Sequence, residues 1–335
     1  MTIIFVGIDL AKNVFALHGV DEHGKAVLVR PSIARAKLLE AVAVLPPCTV
    51  GMEACSGAHH WARQFARFGH TVRLMAPKLV APYRMSGKRG KPVLSEVEGN
   101  DAADAAAICE ALQRPNMRFV PQKSEDEQAR LCVHRVRQGF VEQRTALINR
   151  LRGLLSEFGI VLPQKAATVR RQAAAQLESL PGWANTAISD CLAEVHHLDE
   201  RLAEYDRHVS HMAAEDERSR RLMQLQGIGP TTASALVSTI GNARDFRNGR
   251  QLAAWLGLVP GQYSSGGKTR LGRITKAGDS YLRTLLMLGA RAVLAAAPGK
   301  GDRLSRWAVG LAEDAAIGRP WSRLRRRTPA WPGPS

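Results

Sequence analysis

An acidic side chain lies inside an apolar run near the N-terminus. Residues 3–10 read Ile-Ile-Phe-Val-Gly-Ile-Asp-Leu, and the acid is Asp9. A second acid, Glu53, ends the apolar run 48–53. Placing a carboxylate in or at the end of a buried strand is costly unless a positive group neutralises it. A divalent metal is the simplest such partner, so the fold has to bring these acids together.

The N-terminal pattern predicts an α/β domain. Residues 3–10, 14–20 and 26–29 have the composition of three short strands, with a polar turn between the second and the third. The next segments alternate between helical and strand patterns: helix 34–45, strand 49–53, helix 59–68, strand 71–75 and helix 101–112. Three antiparallel strands followed by alternating helices and strands is the element order of an RNase H-like domain.

Two further acids are expected to join Asp9 and Glu53. Asp101 and Asp104 are three positions apart, so a helix that starts near residue 100 places both on one face. The element order then brings all four carboxylates to one edge of the sheet, where hard oxygen ligands suit Mg²⁺. Such a cluster would orient a phosphodiester and stabilise charge as a phosphate–oxygen bond breaks. For Asp101 the alternative is a helix N-cap, a common position for Asp.

The charge balance points to a polyanionic partner. The chain has 47 Lys and Arg against 30 Asp and Glu, a formal net charge of +17, and nucleic acid is the expected partner of such a chain. No apolar stretch is expected to reach the roughly 18 to 20 residues that span a bilayer. Residues 1–10 do not resemble a signal peptide, because no basic segment precedes the apolar run. We therefore expect a cytoplasmic, nucleoid-associated protein that does not contact a membrane.

Two long helical patterns follow the α/β domain. Residues 131–158 and 183–212 carry apolar side chains at helical spacing, and the second series alternates steps of three and four, as in a coiled coil. Helix breakers at 162–163 and 181–182 predict that the chain reverses into a helical hairpin. The apolar stripe has two open interpretations: the core of a helical domain, or a coiled coil that dimerises or acts as a spacer.

Short helices joined by Gly-rich turns are predicted from residue 223 onward. Gly227-Ile228-Gly229-Pro230 fits a helix-hairpin-helix turn, in which backbone N–H groups approach a DNA phosphate. A tight connection between two helices is the alternative. The Arg- and Pro-rich tail from residue 315 is expected to be disordered.

A Gly-rich segment, residues 263–278, contains Ser264 and Ser265 beside four cations, Lys268, Arg270, Arg273 and Lys276. It is either a flexible phosphate-binding loop or the source of a nucleophile, because cations lower the cost of deprotonating a hydroxyl and stabilise a pentavalent phosphate. The residues alone do not choose between these roles.

Together these motifs resemble the insertion-sequence transposases of the Asp-Glu-Asp-Asp type, a family of bridge-RNA-guided recombinases. The resemblance covers roughly residues 3–312 and rests on six stretches: Gly-Ile-Asp-Leu-Ala-Lys at 7–12, Met-Glu-Ala-Cys at 52–55, Ala-His-His-Trp-Ala at 58–62, Asn-Asp-Ala-Ala-Asp-Ala at 100–105, Gly-Ile-Gly-Pro at 227–230 and Arg-Leu-Gly-Arg-Ile-Thr-Lys at 270–276. It implies a RuvC-like domain at 1–122, a helical coiled-coil spacer at 123–217, a C-terminal transposase domain at 218–313 and an aberrant tail at 314–335.

The resemblance also implies roles for residues. Asp9, Glu53, Asp101 and Asp104 would hold Mg²⁺, and Ser265 would attack DNA to form a phosphoserine link, with Ser264 as the neighbour most easily confused with it. DNA contacts would come from Gly227, Gly229, Lys268, Arg270, Arg273 and Lys276. The enzyme would act as a homodimer or tetramer, and a guide RNA would select DNA by base pairing.

Two departures from the family pattern leave alternatives open. Residues 92–99 intervene between the basic segment 87–91 and Asn100, and an Arg-, Pro- and Trp-rich tail replaces an apolar helix after residue 313, as a frameshift would produce. The leading hypothesis is an RNA-guided, Mg²⁺-dependent DNA recombinase that uses Ser265. The alternatives are a RuvC-like nuclease that uses water, and a catalytically dead remnant that still binds nucleic acid.

Overall fold

The computed structural model describes residues 2–84, 100–264 and 266–316. The chain divides into two units, Met1–Glu125 and Asp126–Ser335. The spacer predicted at 123–217 and the C-terminal domain predicted at 218–313 both fall mainly in the second unit, and their separation stays a prediction. The inserted segment 92–99, Ser265 and the tail beyond residue 316 lie outside the described residues.

A mixed sheet forms the first unit. Its strands are β1 (Phe5–Leu10), β2 (Val14–Val20), β3 (Ala26–Ala34), β4 (Thr49–Glu53), β5 (Thr71–Met75) and β6 (Phe119–Val120), in the order β3-β2-β1-β4-β5-β6. The first three strands pair antiparallel, whereas β1, β4 and β5 run parallel. The predicted element order is confirmed, and the sheet is consistent with an RNase H-like domain.

Four helices accompany this sheet: α1 (Leu38–Ala43), α2 (Ala58–Arg67), α3 (Pro77–Val80) and α4 (Asn100–Leu112). The predicted strand 26–29 was too short, because β3 continues to Ala34, and the predicted helix 34–45 was correspondingly too long. Pro31 lies within β3, which is an edge strand of the sheet, where a residue without an N–H need not break a ladder.

The two faces of the central strands have different neighbours. Val6 and Ile8 of β1 are fully buried in an apolar cluster with residues of α1 and α2. Because side chains alternate along a strand, Gly7 and Asp9 lie on the opposite face. A methyl group built on Gly7 would lie 2.2 Å from the carbonyl oxygen of Ala105 and 2.5 Å from the backbone nitrogen of Cys109. Helix α4 therefore packs directly on the backbone of β1.

A Gly7→Ala substitution should destabilise the first unit by about 3 kcal/mol or more, because the added carbon meets backbone atoms that only a shift of α4 can relieve. Gly51→Ala is the matched control, since its added carbon meets the ends of Leu112 and Met75 at 3.0 Å or more. It should cost about 1 kcal/mol, because flexible side chains can move. Denaturant unfolding followed by circular dichroism measures both, and equal costs would contradict direct packing of α4 on Gly7.

The second unit is mainly helical. Its helices are α5 (Glu125–Ser156), α6 (Ala166–Ala175), α7 (Gly182–Glu215), α8 (Glu217–Met223), α9 (Pro230–Ile240), α10 (Gly249–Trp255), α11 (Ser280–Ala296) and α12 (Arg303–Ala316). One antiparallel hairpin, β7 (Pro260–Gln262) and β8 (Leu271–Ile274), interrupts them. The sequence predicted the two long helices α5 and α7 and short helices after residue 223, but it did not predict α6, α8 or this hairpin, since residues 263–270 between the strands read only as a Gly-rich loop.

The two long helices α5 and α7 form an antiparallel pair within the chain. Arg144 reaches Asp199 at 2.7 Å, and Arg137 reaches Asp206 at 2.6 Å. The α7 side chains that carry the coiled-coil pattern are buried in the same chain: Ile188, Val195, Leu198, Leu202 and Val209. This burial favours the interpretation of the apolar stripe as the core of a helical unit.

One helix departs from the expectation about membrane spans. Ser280–Gly299 is long and apolar enough to cross a membrane by length and composition. The prediction that no apolar stretch reaches the length of a membrane span is therefore wrong by that criterion. The run is interrupted by Arg283 and Arg291, and Arg283 donates hydrogen bonds to the carbonyl oxygens of Leu256 and Gly278. Because a core helix of a soluble protein passes the same test, the segment does not establish a membrane span.

Candidate metal centre and serine loop

The ends of β1 and β4 place two of the predicted acids side by side. The strands are parallel and in register up to Ile8 and Met52, so Asp9 and Glu53, the next residues, emerge at the same edge of the sheet. Both follow the buried core positions Ile8 and Met52 and therefore lie on the face of Gly7 and Gly51. This is the face that α4 covers.

Helix α4 brings the other two acids to this edge. Ala105 contacts Gly7, and Asp101 and Asp104 lie on the turn that precedes Ala105. Burial, and after it the negative charges of Asp104, Asp101 and Glu53 in that order, together raise the pKa of Asp9 from 3.8 to about 6. The structure thus places Glu53, Asp101 and Asp104 close enough for their charges to act on Asp9, and their joint role as a metal site stays a prediction.

A cation that sequence reasoning missed lies within this cluster. The Arg84 Nη2 donates a hydrogen bond to Glu53 Oε1 at 2.8 Å, and its Nε lies 3.0 Å from Asp104 Oδ1. Burial raises the pKa of Glu53, whereas the Arg84 guanidinium lowers the pKa of both Glu53 and Asp9. No spacing rule singles out Arg84, because it follows a short turn and belongs to no motif.

The chemistry of the donor set fits a divalent cation. Four carboxylates supply hard oxygen ligands, and the negative charges of three of them raise the pKa of Asp9, whereas the positive charge of Arg84 lowers it. As the side chains stand, no group of three or more His, Cys, Asp or Glu converges on an ion position in the part of the chain that the structure describes. The Arg84 guanidinium contacts both the Glu53 and the Asp104 carboxylates.

The second predicted site lies on the β7–β8 hairpin. The hydroxyl oxygen of Ser264 accepts hydrogen bonds from Gln262 Nε2 at 2.8 Å and from the backbone N–H of Arg270 at 3.1 Å, so it ties the two ends of the loop together. Gly266 and Gly267 have φ angles of 57° and 76°, which glycine adopts without strain. Ser265 falls outside the described residues.

The cations around this loop are free to meet a ligand. Lys268, Arg270, Arg273 and Lys276 are all exposed. Among the described residues, none of these four lies within ion-pair distance of a carboxylate. Their positive charge is therefore available to a polyanion.

The predicted helix-hairpin-helix turn is held by close packing. Gly227 has a φ of 84°, and a methyl group on Gly289 of α11 would lie 2.0 Å from the Gly227 carbonyl oxygen. Gly229 is the N-cap residue of α9 and has open space around it. The fold itself thus accounts for glycine at 227, and the roles of Gly227 and Gly229 in binding nucleic acid stay predictions.

Removal of the Asp9 charge should stabilise the metal-free protein in a pH-dependent way. Because the pKa of Asp9 is higher in the folded state than its ordinary value of 3.8, its ionisation lowers stability as pH rises from about 4 to about 6. Asp9→Asn should therefore raise the melting temperature at pH 7.5 by roughly 2–5 °C, with the gain vanishing near pH 4.

Asp216→Asn is a control of opposite sign. Although burial alone raises its pKa, hydrogen bonds from Arg218 and Ser219 bring the pKa of Asp216 down to about 2, so this variant should lose stability at pH 7.5. Thermal melting in a metal chelator at both pH values measures these differences. An Asp9→Asn variant that melts below the wild type at pH 7.5 would show that the acids do not repel one another.

Comparison with known proteins identifies the family of the chain. Residues 219–305 match the model of the IS116/IS110/IS902 transposase family, and residues 6–160 match a transposase model for the IS110 DEDD domain. A "Probable family 20 transposase" of Pseudomonas aeruginosa is 46% identical over 93% of this chain and 90% of its own length. The transposase for insertion sequence element IS1328 of Yersinia enterocolitica is 38% identical over 92% and 89%, and that for IS1111A of Coxiella burnetii is 36% identical over 94% and 84%. The chain, with its acid-bearing N-terminal sheet and its helical second unit, therefore belongs to the IS110/IS116/IS902 family of transposases, which are enzymes that act on DNA.

Proposed function

We propose that this transposase cuts and rejoins DNA strands through Ser265, with Mg²⁺ held by Asp9, Glu53, Asp101 and Asp104. The observation that carries the proposal is that four carboxylates act on one another's charge at one sheet edge, with Arg84 as the cation that the described residues place among them. Such an arrangement is costly in a protein unless a ligand uses it. Mg²⁺ is favoured over softer metals because every donor is a carboxylate oxygen.

In this proposal the backbone sets the positions of all four acids. Asp9 and Glu53 are fixed by strand register, and Asp101 and Asp104 by the first turn of α4, so the backbone orients all four before any ligand arrives. A bound Mg²⁺ would orient a phosphodiester and stabilise the charge that develops on its oxygens.

The hydrogen bonds of Ser264 favour its neighbour as the nucleophile. Both lone pairs of the Ser264 hydroxyl already accept donors within the loop, so Ser264 has a structural role and its oxygen is poorly available for attack. Attack by the Ser265 oxygen on phosphorus would form a phosphoserine ester and break the bond to one sugar oxygen, which would leave as a hydroxyl after the serine proton reaches it through water. Attack by an incoming sugar hydroxyl would reverse the step and rejoin the strand.

The exposed cations support this chemistry. Lys268, Arg270, Arg273 and Lys276 surround the loop that contains Ser265, where they would bind the phosphates of a strand and stabilise the negative charge of the transition state. The net charge of +17 suits an enzyme that also holds a guide RNA, which would select target and donor DNA by base pairing.

A homodimer or tetramer is part of the same proposal. The acids lie in the first unit and Ser265 in the second. The family resemblance pairs the acids of one protomer with the serine of another.

A nuclease that uses water is a second candidate, because all four acids lie within the first unit and do not need the serine to bind a metal.

A catalytically dead remnant is the third candidate, since residues 92–99 adjoin two of the acids and an insertion there could displace the helix that follows. In the structure α4 begins at Asn100, and the charges of Asp101 and Asp104 still act on Asp9. This placement argues against that route to inactivity.

Trapping of the protein on labelled element-end DNA, with Mg²⁺ and the flanking RNA, tests the proposal. On a denaturing gel, the wild type should carry covalently bound DNA, and Ser265→Ala should lower the yield by about 10³-fold or more, because the attacking oxygen is gone. Ser264→Ala is the matched control and should retain the adduct, with at most a modest loss.

Three results would count against parts of the proposal. An adduct that persists in Ser265→Ala but not in Ser264→Ala would move the nucleophile by one residue. Free cut products without any adduct would indicate the nuclease that uses water. DNA binding with neither adduct nor cleavage would indicate the dead remnant.

A further inference from the structure

Arg84 is held in a fixed position beside the acidic site. It follows α3 and a 3-10 turn, Ala81–Tyr83, and its backbone N–H donates to the carbonyl oxygen of Ala81 at 3.3 Å. Val80 is fully buried on one side of this turn, and the Tyr83 ring contacts the guanidinium of Arg114, which follows α4. The packing of this turn therefore holds the Arg84 backbone next to the acids.

The guanidinium of Arg84 joins two elements that carry acids. It reaches Glu53 at the end of β4 at 2.8 Å and Asp104 in α4 at 3.0 Å. Charge-assisted contacts of this kind are stronger than neutral hydrogen bonds. The bridge thus fixes the distance between the strand end and the helix.

The two halves of this bridge are not equally strong. The contact with Glu53 has hydrogen-bond geometry. The Nε atom is buried and, despite its short distance to Asp104, makes no hydrogen bond of acceptable geometry. A buried donor that is only partly satisfied lowers the cost of giving the contact up.

The guanidinium and a metal ion would compete for the same oxygens. Glu53 and Asp104 both belong to the proposed ligand set, and each has an oxygen engaged by Arg84. A divalent cation at this point would also repel the guanidinium at short range. The two cations therefore exclude each other from the space between these carboxylates.

We propose that Arg84 is a displaceable internal cation of the acidic site, which bridges Glu53 and Asp104 in the metal-free protein and has to leave when the divalent cation binds. This inference rests on the proposed function, because it takes the four acids as the metal ligands. Arg84 is a positioning residue: it keeps the strand end and the helix together in the absence of metal, and it weakens metal affinity by the cost of its own displacement.

Mn²⁺ binding to the full-length protein tests this role without any measurement of activity. Free Mn²⁺, followed by electron paramagnetic resonance, gives the dissociation constant for the wild type and for Arg84→Gln, which keeps a similar shape but removes the charge. We expect Arg84→Gln to bind Mn²⁺ roughly tenfold more tightly, because no charge-assisted bridge has to be broken. Its metal-free melting temperature should fall, and saturating Mn²⁺ should raise it by more than in the wild type.

Two control variants separate the bridge from a general effect of charge. Arg67→Gln removes a positive charge from the exposed end of α2, where the side chain contacts Gln64, and should leave Mn²⁺ affinity unchanged. Arg84→Lys keeps the charge but loses the fork that reaches two carboxylates, so its affinity should lie between those of the wild type and Arg84→Gln. Circular dichroism at the titration temperature confirms that each variant is folded.

The outcomes distinguish this inference from the proposed function. Suppose that the wild type binds Mn²⁺ and the Asp9→Asn variant does not, while Arg84→Gln binds Mn²⁺ no more tightly than the wild type. The metal site then stands and the role of Arg84 is overturned. A purely structural Arg84 would give that same result together with a lower melting temperature. If Mn²⁺ does not bind the wild type, or binds Asp9→Asn as tightly as the wild type, the metal site itself is wrong.

Discussion

The contact between α4 and the backbone of β1 determines where the chemistry of this protein lies. At Gly7 the helix approaches so closely that even a methyl group would overlap backbone atoms of Ala105 and Cys109. Because Asp9 follows Gly7 on the same face, and Asp104 precedes Ala105 on the helix, the packing that builds the core also gathers the acids. Gly7 thus allows both the packing of α4 on β1, which stabilises the fold, and the approach of the acids on α4 to Asp9.

This gathering has an electrostatic cost that the fold accepts. Burial and three neighbouring carboxylates raise the pKa of Asp9 to about 6, which means that ionisation of this carboxyl costs more in the folded protein than in water, although the carboxylate still predominates at neutral pH. Sites of this kind commonly reduce stability in exchange for function. Arg84 relieves part of the repulsion at Glu53 and Asp104, and a divalent cation would relieve more because it carries twice the charge.

Sequence reasoning predicted the parts of this structure that follow from local pattern. The order of the N-terminal strands, the start of α4 near Asn100 and the meeting of the four acids all follow from hydrophobic periodicity and from the parallel register of β1 and β4. The end of β3 was missed because Pro31 signals a break that an edge strand tolerates.

The features that sequence did not predict depend on contacts between distant residues. Arg84 meets Glu53 only because a turn after α3 returns to the sheet edge, and no spacing in the chain encodes that meeting. The β7–β8 hairpin was hidden because its strands are short and its loop is rich in glycine. The two loop-closing hydrogen bonds of Ser264 likewise appear only once Gln262 and Arg270 are paired across that hairpin.

Anomalous diffraction from crystals grown with Mn²⁺ would test the central claim most directly, because it locates the ion independently of any assay. We predict a single strong peak at the sheet edge, with carboxylate oxygens of Asp9, Glu53, Asp101 and Asp104 at about 2.2 Å and the Arg84 guanidinium withdrawn from Glu53 and Asp104. A peak bound elsewhere, or an empty sheet edge with Arg84 still bridging the two acids at saturating Mn²⁺, would contradict it.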